Sequence, residues 1–130
     1  MKQIAGINHI GLRVAELEPA RAFYAKLGFK FVVGPIGPEP VAIMEHPSGV
    51  NINFILNANT TGNILMDVAE KHPGYTHLAL DVTDINEVIK QLSGLGVSLS
   101  GELALDGARA VFIRDPDLNV IEFHQADPGQ

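Results

Sequence analysis

Among the 5 histidines and 15 acidic residues of this 130-residue chain, His9, His77 and Glu122 are the set whose types and spacing could hold a divalent metal ion. Two imidazoles and one carboxylate, with coordination positions left for water or substrate, suit Fe(II), Mn(II), Ni(II) or Zn(II). An ion held that way can polarise an oxygen-bearing substrate. A lone histidine on a strand is more often packed or solvated than ligating, so spacing has to decide. His9 stands second in "NHIGLRVAEL" (8–17) and His77 second in "THLALDVTDI" (76–85), one phrase written twice at an offset of 68 positions.

Both phrases alternate as strands do. His9, Gly11 and Arg13 share one face against Ile10, Leu12 and Val14, while His77, Ala79 and Asp81 oppose Leu78, Leu80 and Val82. The last strand, "NVIEFHQ", sets Val120, Glu122 and His124 against Ile121 and Phe123, and Asn51, Asn53 and Ile55 form the matching set in the first half. A glutamate between Ile121 and Phe123 would be costly to bury without a cation. If the two copies curl about a common axis, His9 and His77 face each other across it, joined by Glu122 and by its counterpart Asn53. Asn53 could add a weak oxygen ligand or leave its place to water.

The elements that must position these residues are duplicated too. Leu12 lies over Leu80, Val14 over Val82, Leu17 over Ile85, and Leu27-Gly28 over Leu95-Gly96. "ELEPARAFYAKLG" carries Leu17, Ala20, Phe23, Tyr24 and Leu27 near helical spacing, with Pro19 suited to a first turn. "TDINEVIKQLSGLG" repeats this with Ile85, Val88, Ile89 and Leu92, and Thr83 or Asp84 can cap its start. "HPSGVNINF" (46–54) lies over "DPDLNVIEF" (115–123) at an offset of 69, the gain that a one-residue loop insertion would produce. Each half therefore reads β-α-β-β-β, which predicts an α+β fold of two tandem modules, residues 4–57 and 75–125, forming a curved mixed sheet within one domain, 1–130. Residues 58–74 read as a linker and possible lid, with a short helix at 64–71.

Composition narrows the partners. Hydrophobic residues make up 46% and charged residues 18%, as in an ordinary globular domain, and the net charge of -6 repels phosphate backbones and anionic lipid surfaces. Nucleic acid and membrane are not expected as partners. Without cysteine there is no disulfide or thiolate chemistry, so any metal is held by nitrogen and oxygen. "MKQIAGINHI" lacks the apolar run of a signal peptide or membrane span, which makes the cytoplasm the expected location.

The stretches "NHIGLRVAELEPARAFYAKLGF", "GYTHLALDV" and "VFIRDPDLNVIEFHQ" resemble the vicinal oxygen chelate superfamily, which includes glyoxalase I, extradiol dioxygenases, fosfomycin resistance enzymes, methylmalonyl-CoA epimerase and bleomycin-binding proteins. The resemblance runs from residue 7 to residue 125. It implies a divalent metal at the mouth of a curved sheet, held by His9, His77 and Glu122, and a small-molecule substrate that offers adjacent oxygens. It is closest to glyoxalase I, which implies that Arg13 and Asn57 contact the carboxylate and amide groups of glutathione. By residue type alone, the two read equally well as a surface cation and a strand-end turn residue. In two places the chain departs from the family pattern: Asn53 stands where glyoxalase I carries a glutamate, and "DPDL" replaces the usual Asp-Pro-Asp-Gly turn, which should affect the turn more than the chemistry.

The implied activity is that of a lactoylglutathione lyase-like isomerase. Its reaction takes a proton from one carbon and returns it to the neighbouring one, with Glu122 both ligating and moving the proton. Two other activities stay open. An Fe(II) extradiol-type dioxygenase would use His124 as acid or base, and a non-catalytic drug-binding resistance protein would have no need of the three ligands. The superfamily builds its sites within one chain or by exchange between two, and a homodimer is expected.

Overall fold

The computed structural model describes residues 1–58, 65–71 and 73–126, and the chain divides into two compact units, Met1–Thr61 and Gly62–Gln130. The first unit contains β1 (Ile10–Arg13), α1 (Leu17–Lys26), β2 (Lys30–Ile36), β3 (Val41–Glu45) and β4 (Asn51–Ile55). The second contains a 3-10 turn at Leu65–Asp67, then β5 (His77–Asp81), α2 (Ile85–Gly94), β6 (Gly101–Leu105), β7 (Ala108–Arg114) and β8 (Val120–Ala126). The predicted α+β class and the β-α-β-β-β order are thus both observed. Each sheet has four strands, in the orders β1-β4-β3-β2 and β5-β8-β7-β6, and in each the first and last strands pair in parallel while the others are antiparallel.

The duplication holds at the level of register. In the first sheet Ile10, Gly11, Leu12 and Arg13 pair with Ile52, Asn53, Phe54 and Ile55. In the second, Leu78, Ala79, Leu80 and Asp81 pair with Ile121, Glu122, Phe123 and His124. The helices Leu17–Lys26 and Ile85–Gly94 obey the first offset to the residue. The change of offset, however, is not one inserted residue. The connection after α2, residues 95–100, is longer than its counterpart at 27–29, and β6, with 5 residues, is shorter than β2, with 7; the single residue is the difference. The extra length of β2 is taken up by irregular pairing between Phe31 and Val33 and between Val33 and Ile36. Gly34 lies there at φ +135, where a Cβ would come within 2.5 Å of the Ala42 Cα, so no other residue fits.

One face of each sheet is buried under its helix. In the first unit Ala20 and Tyr24 of α1 are fully buried along with Val14, Ala42, Met44, Ile52 and Phe54, and the Tyr24 ring lies 5.3 Å from that of Phe54. In the second, Ile85 and Leu92 of α2 are buried with Val111, Ile113, Ile121 and Phe123. Asp84 caps α2 by accepting a hydrogen bond from the Glu87 backbone N–H at 3.1 Å, as the sequence predicts. Because strand residues alternate, the opposite face of each sheet carries the more polar set, Gly11, Arg13 and Asn53 in the first and His77, Glu122 and His124 in the second.

The linker expectation falls partly on residues 59–64 and 72, which lie outside the described residues. In place of the helix expected from 64 to 71 there is only the turn Leu65–Asp67. A short helix lasts only if it buries a face, and Met66 is exposed. No helix among the described residues is long and apolar enough to cross a membrane.

Candidate functional site

In the second unit the register brings two of the predicted ligands together. His77 opens β5 opposite Val120, and Glu122 lies on the same face, between Ala79 of β5 and Phe112 of β7. The His77 Nε2 is 3.0 Å from the Glu122 Oε1, with side-chain exposures of 29% and 16%. On the other side of the ring, the Thr76 Oγ1 lies 2.8 Å from Nδ1. The Phe112 ring stands edge-on to the imidazole at 6.2 Å. Glu122 is therefore half-buried between the buried Ile121 and Phe123 with an imidazole as its partner.

This donor pair fits a divalent cation. The two atoms form a hydrogen-bonded pair at 3.0 Å, and both could be offered to one ion. The imidazole nitrogen and carboxylate oxygen are donors for borderline and hard ions, and the group behind Nδ1 is the outer support that ligating histidines usually have. Within the described residues of this unit the set numbers two rather than three.

The first unit carries the remaining predicted residues. His9 is exposed and directly precedes β1, and its Nδ1 is 2.8 Å from the Asn8 Oδ1. Asn53 is half-buried at the position equivalent to Glu122, between Gly11 of β1 and Ile43 of β3. Arg13 is exposed on the same face as Gly11; it donates from Nη1 to the Leu56 carbonyl at 3.4 Å and from Nη2 to the Glu39 carboxylate at 3.3 Å. That places Arg13 beside the chain at Asn57. Asn57 does not continue the face of Asn53, because β4 ends at Ile55 and Asn57 adopts left-handed backbone at φ 71, as a turn residue does. His124, the candidate acid or base, has its Nδ1 3.4 Å from a carboxylate oxygen of the exposed Asp81.

Two features outside the predicted set shape this region. The first is the turn before each last strand. Asp115 is 3% exposed, and its Oδ1 accepts from the backbone N–H groups of Asp117 and Asn119, both at 2.9 Å. In the other half His46 replaces it, with Nδ1 accepting from the Ser48 N–H at 3.0 Å. The second is Arg114, which shares the face of Val120, Glu122 and His77. Its Nη1 and Nη2 donate to the two carboxylate oxygens of Asp67, both at 2.8 Å, and Nη1 also donates to the Leu118 carbonyl. These hydrogen bonds hold the Asp67 carboxyl below its ordinary value and raise the guanidinium. They also tie the Leu65–Asp67 turn to the end of β7. The sequence held a signal for the turns, the aligned "HPSG" and "DPDL", and none for the Asp67 pairing, which spans 47 residues.

A doubled β-α-β-β-β unit defines a class of fold, and this one carries an imidazole–carboxylate pair in its second half. Residues 6–123 match the Glyoxalase/Bleomycin resistance protein/Dioxygenase superfamily, and the chain belongs to it. Among curated proteins it is similar to the mitochondrial methylmalonyl-CoA epimerase of Bos taurus, 29% identical over 92% of this chain and 74% of the relative. Among solved structures it shares its fold with a glyoxylase/bleomycin resistance protein/dioxygenase domain from Frankia sp. EAN1pec, at a TM-score of 0.76 and 21% identity over 98% of this chain and 96% of the other. It also shares it with a mutant of a genomically encoded fosfomycin resistance protein from Listeria monocytogenes, complexed with Mn(II) and a dihydroxypropylphosphonic acid, at a TM-score of 0.69 and 19% identity over 94% of this chain and 90% of the other.

Proposed function

We propose that this chain is a divalent-metal-dependent isomerase that moves a proton at a carbon next to a carbonyl, acting on an acyl thioester of the methylmalonyl-CoA kind. In this reading His9, His77 and Glu122 hold the ion, Ni(II), Zn(II), Fe(II) or Mn(II), and Glu122 is also the base. The observation that carries it is the His77–Glu122 pair at 3.0 Å, at the strand positions where the duplication calls for ligands. The similarity to methylmalonyl-CoA epimerases supports the substrate class. When bound, the ion would draw charge from the substrate oxygen and so acidify the neighbouring C–H. Glu122, held between Ile121 and Phe123 and steered by His77, takes that proton, and a proton delivered from solvent to the opposite side of the same carbon completes the inversion. The half-buried surroundings of the carboxylate limit competition from water.

A second reading, glyoxalase I-like isomerisation of a glutathione hemithioacetal, draws support from Arg13, whose guanidinium lies beside the chain at Asn57, and it leaves Glu122 as the single base because Asn53 stands where glyoxalase I carries a glutamate. Inverting one carbon takes a proton from one side and delivers one from the other, which is simplest with two bases. A shift between neighbouring carbons needs one, and this chain has one carboxylate at its paired strand positions. Arg13 and Asn57 would then meet the anionic end of the thiol conjugate.

Both substrates should be offered to the protein in D2O with each of the four metals. Deuterium uptake at C2 of methylmalonyl-CoA, lost in Glu122→Gln, supports the first reading, and thioester formation from the hemithioacetal supports the second. Neither reaction with any metal would refute both.

A further inference from the structure

The residue before each histidine is polar, and in both halves its side chain reaches the ring. The Asn8 Oδ1 lies 2.8 Å from His9 Nδ1, and the Thr76 Oγ1 lies 2.8 Å from His77 Nδ1. Asn8 and Thr76 are separated by the same offset as the histidines, so the duplicated unit keeps a hydrogen-bonding side chain at this place while changing its type. Both histidines are exposed enough for their rings to flip. An unsupported imidazole would present Nε2 only part of the time.

We infer that Asn8 and Thr76 are positioning residues that hold the two imidazoles with Nε2 presented for ligation, an inference that rests on the metal-ligand reading of His9 and His77. The types suit the surroundings. An amide oxygen only accepts, so Asn8 requires the proton on His9 Nδ1 and leaves the Nε2 lone pair free. His77 is in a different position, because its Nε2 faces the Glu122 carboxylate at 3.0 Å. A carboxylate accepts, so in the metal-free pair Nε2 carries a proton, and the Nδ1 of a neutral ring then accepts from Thr76. Once Nε2 is a ligand, Nδ1 carries the proton and must donate. A hydroxyl can serve in both states and an amide oxygen in only one, which accounts for a threonine beside the histidine that has a carboxylate neighbour.

The test is a calorimetric titration of the metal-free protein with Mn(II) and Zn(II), which needs no substrate and no turnover. Outer-sphere partners of ligating histidines are typically worth about 10- to 100-fold in metal affinity, and for exposed rings the low end applies. Thr76→Val, close in shape but without the hydroxyl, and Asn8→Ala should each weaken binding about tenfold. Thr76→Ser should restore affinity, and Asn8→Asp, which keeps the accepting oxygen, should match or exceed the wild type. Thermal unfolding of the metal-free variants should stay at the wild-type midpoint, which separates positioning from a fold defect. Unchanged affinity in both Thr76→Val and Asn8→Ala, with a wild type that binds, would overturn the inference alone. A wild type that binds neither ion would overturn the ligand reading and this inference with it.

Discussion

Asp115→Ala should be among the most damaging changes to a polar side chain. The carboxylate is 3% exposed and accepts three hydrogen bonds at 2.9 Å, from the Asp117 N–H, the Asn119 N–H and the Asn119 Nδ2. Alanine would strand two backbone donors, each worth on the order of 1–3 kcal/mol if it stays dry. Pro116 and Leu118 are exposed, so water can recover part of that, and a net loss of about 2–3 kcal/mol is expected. At roughly 3–5 °C per kcal/mol for a chain of this size, the melting midpoint should fall by about 10 °C. Asp115→Asn keeps Oδ1 and should cost only about 1 kcal/mol. Urea unfolding followed by circular dichroism gives the free energies. Amide exchange should show the loss concentrated at the Arg114–Val120 and Phe112–Glu122 pairs, the ones that aim Glu122. If Asp115→Ala stays within about 0.5 kcal/mol of wild type, or Asp115→Asn is as harmful, the turn does not fix the strand register as described.

In the counterpart turn, His46→Asp should be tolerated because a carboxylate can accept the Ser48 N–H that Nδ1 now accepts, whereas His46→Ala should cost about 1–2 kcal/mol in the same assay. Leu118→Gly should stabilise the protein. An exposed leucine held at φ 68 pays about 1–2 kcal/mol, more than the chain entropy that glycine adds, so a net gain of about 0.5–1 kcal/mol in urea unfolding is expected. The Asp67–Arg114 pair should protect the backbone around residues 65–71 from hydrogen exchange relative to Asp67→Asn. Because the folded carboxyl titrates below its ordinary value of 3.8, this protection is fully present above that value and is lost as pH falls through the lowered one. Exchange rates that differ equally at all pH values, or not at all, would remove Asp67 from this role.

Most of the fold was legible because a repeat tests itself. "NHIGLRV" alone could be any half-buried strand, but the same pattern before a second helix and a second glycine fixes topology and register together. The alternation that placed Glu122 on the face of His77 holds because both strands are regular from His77 to Asp81 and from Val120 to Ala126. Regularity fails at the strand ends. Asn57 lies past the last β4 residue, where alternation no longer governs direction. The exchange between β2 and its loop was hidden because two changes of opposite sign left one net residue. Arg114 and Asp67 found each other across the fold with no periodicity to announce them, and Asn8 and Thr76 escaped notice because unlike residues were doing one job.

Metal content measured beside a ligand variant tests the central claim most directly. Wild-type protein and His77→Ala, each stripped of metal, incubated with Mn(II) or Zn(II) and desalted, should differ completely. The expected result is one ion per His9–His77–Glu122 set in the wild type and none in the variant. A variant that keeps the same ion at the same stoichiometry would contradict the account.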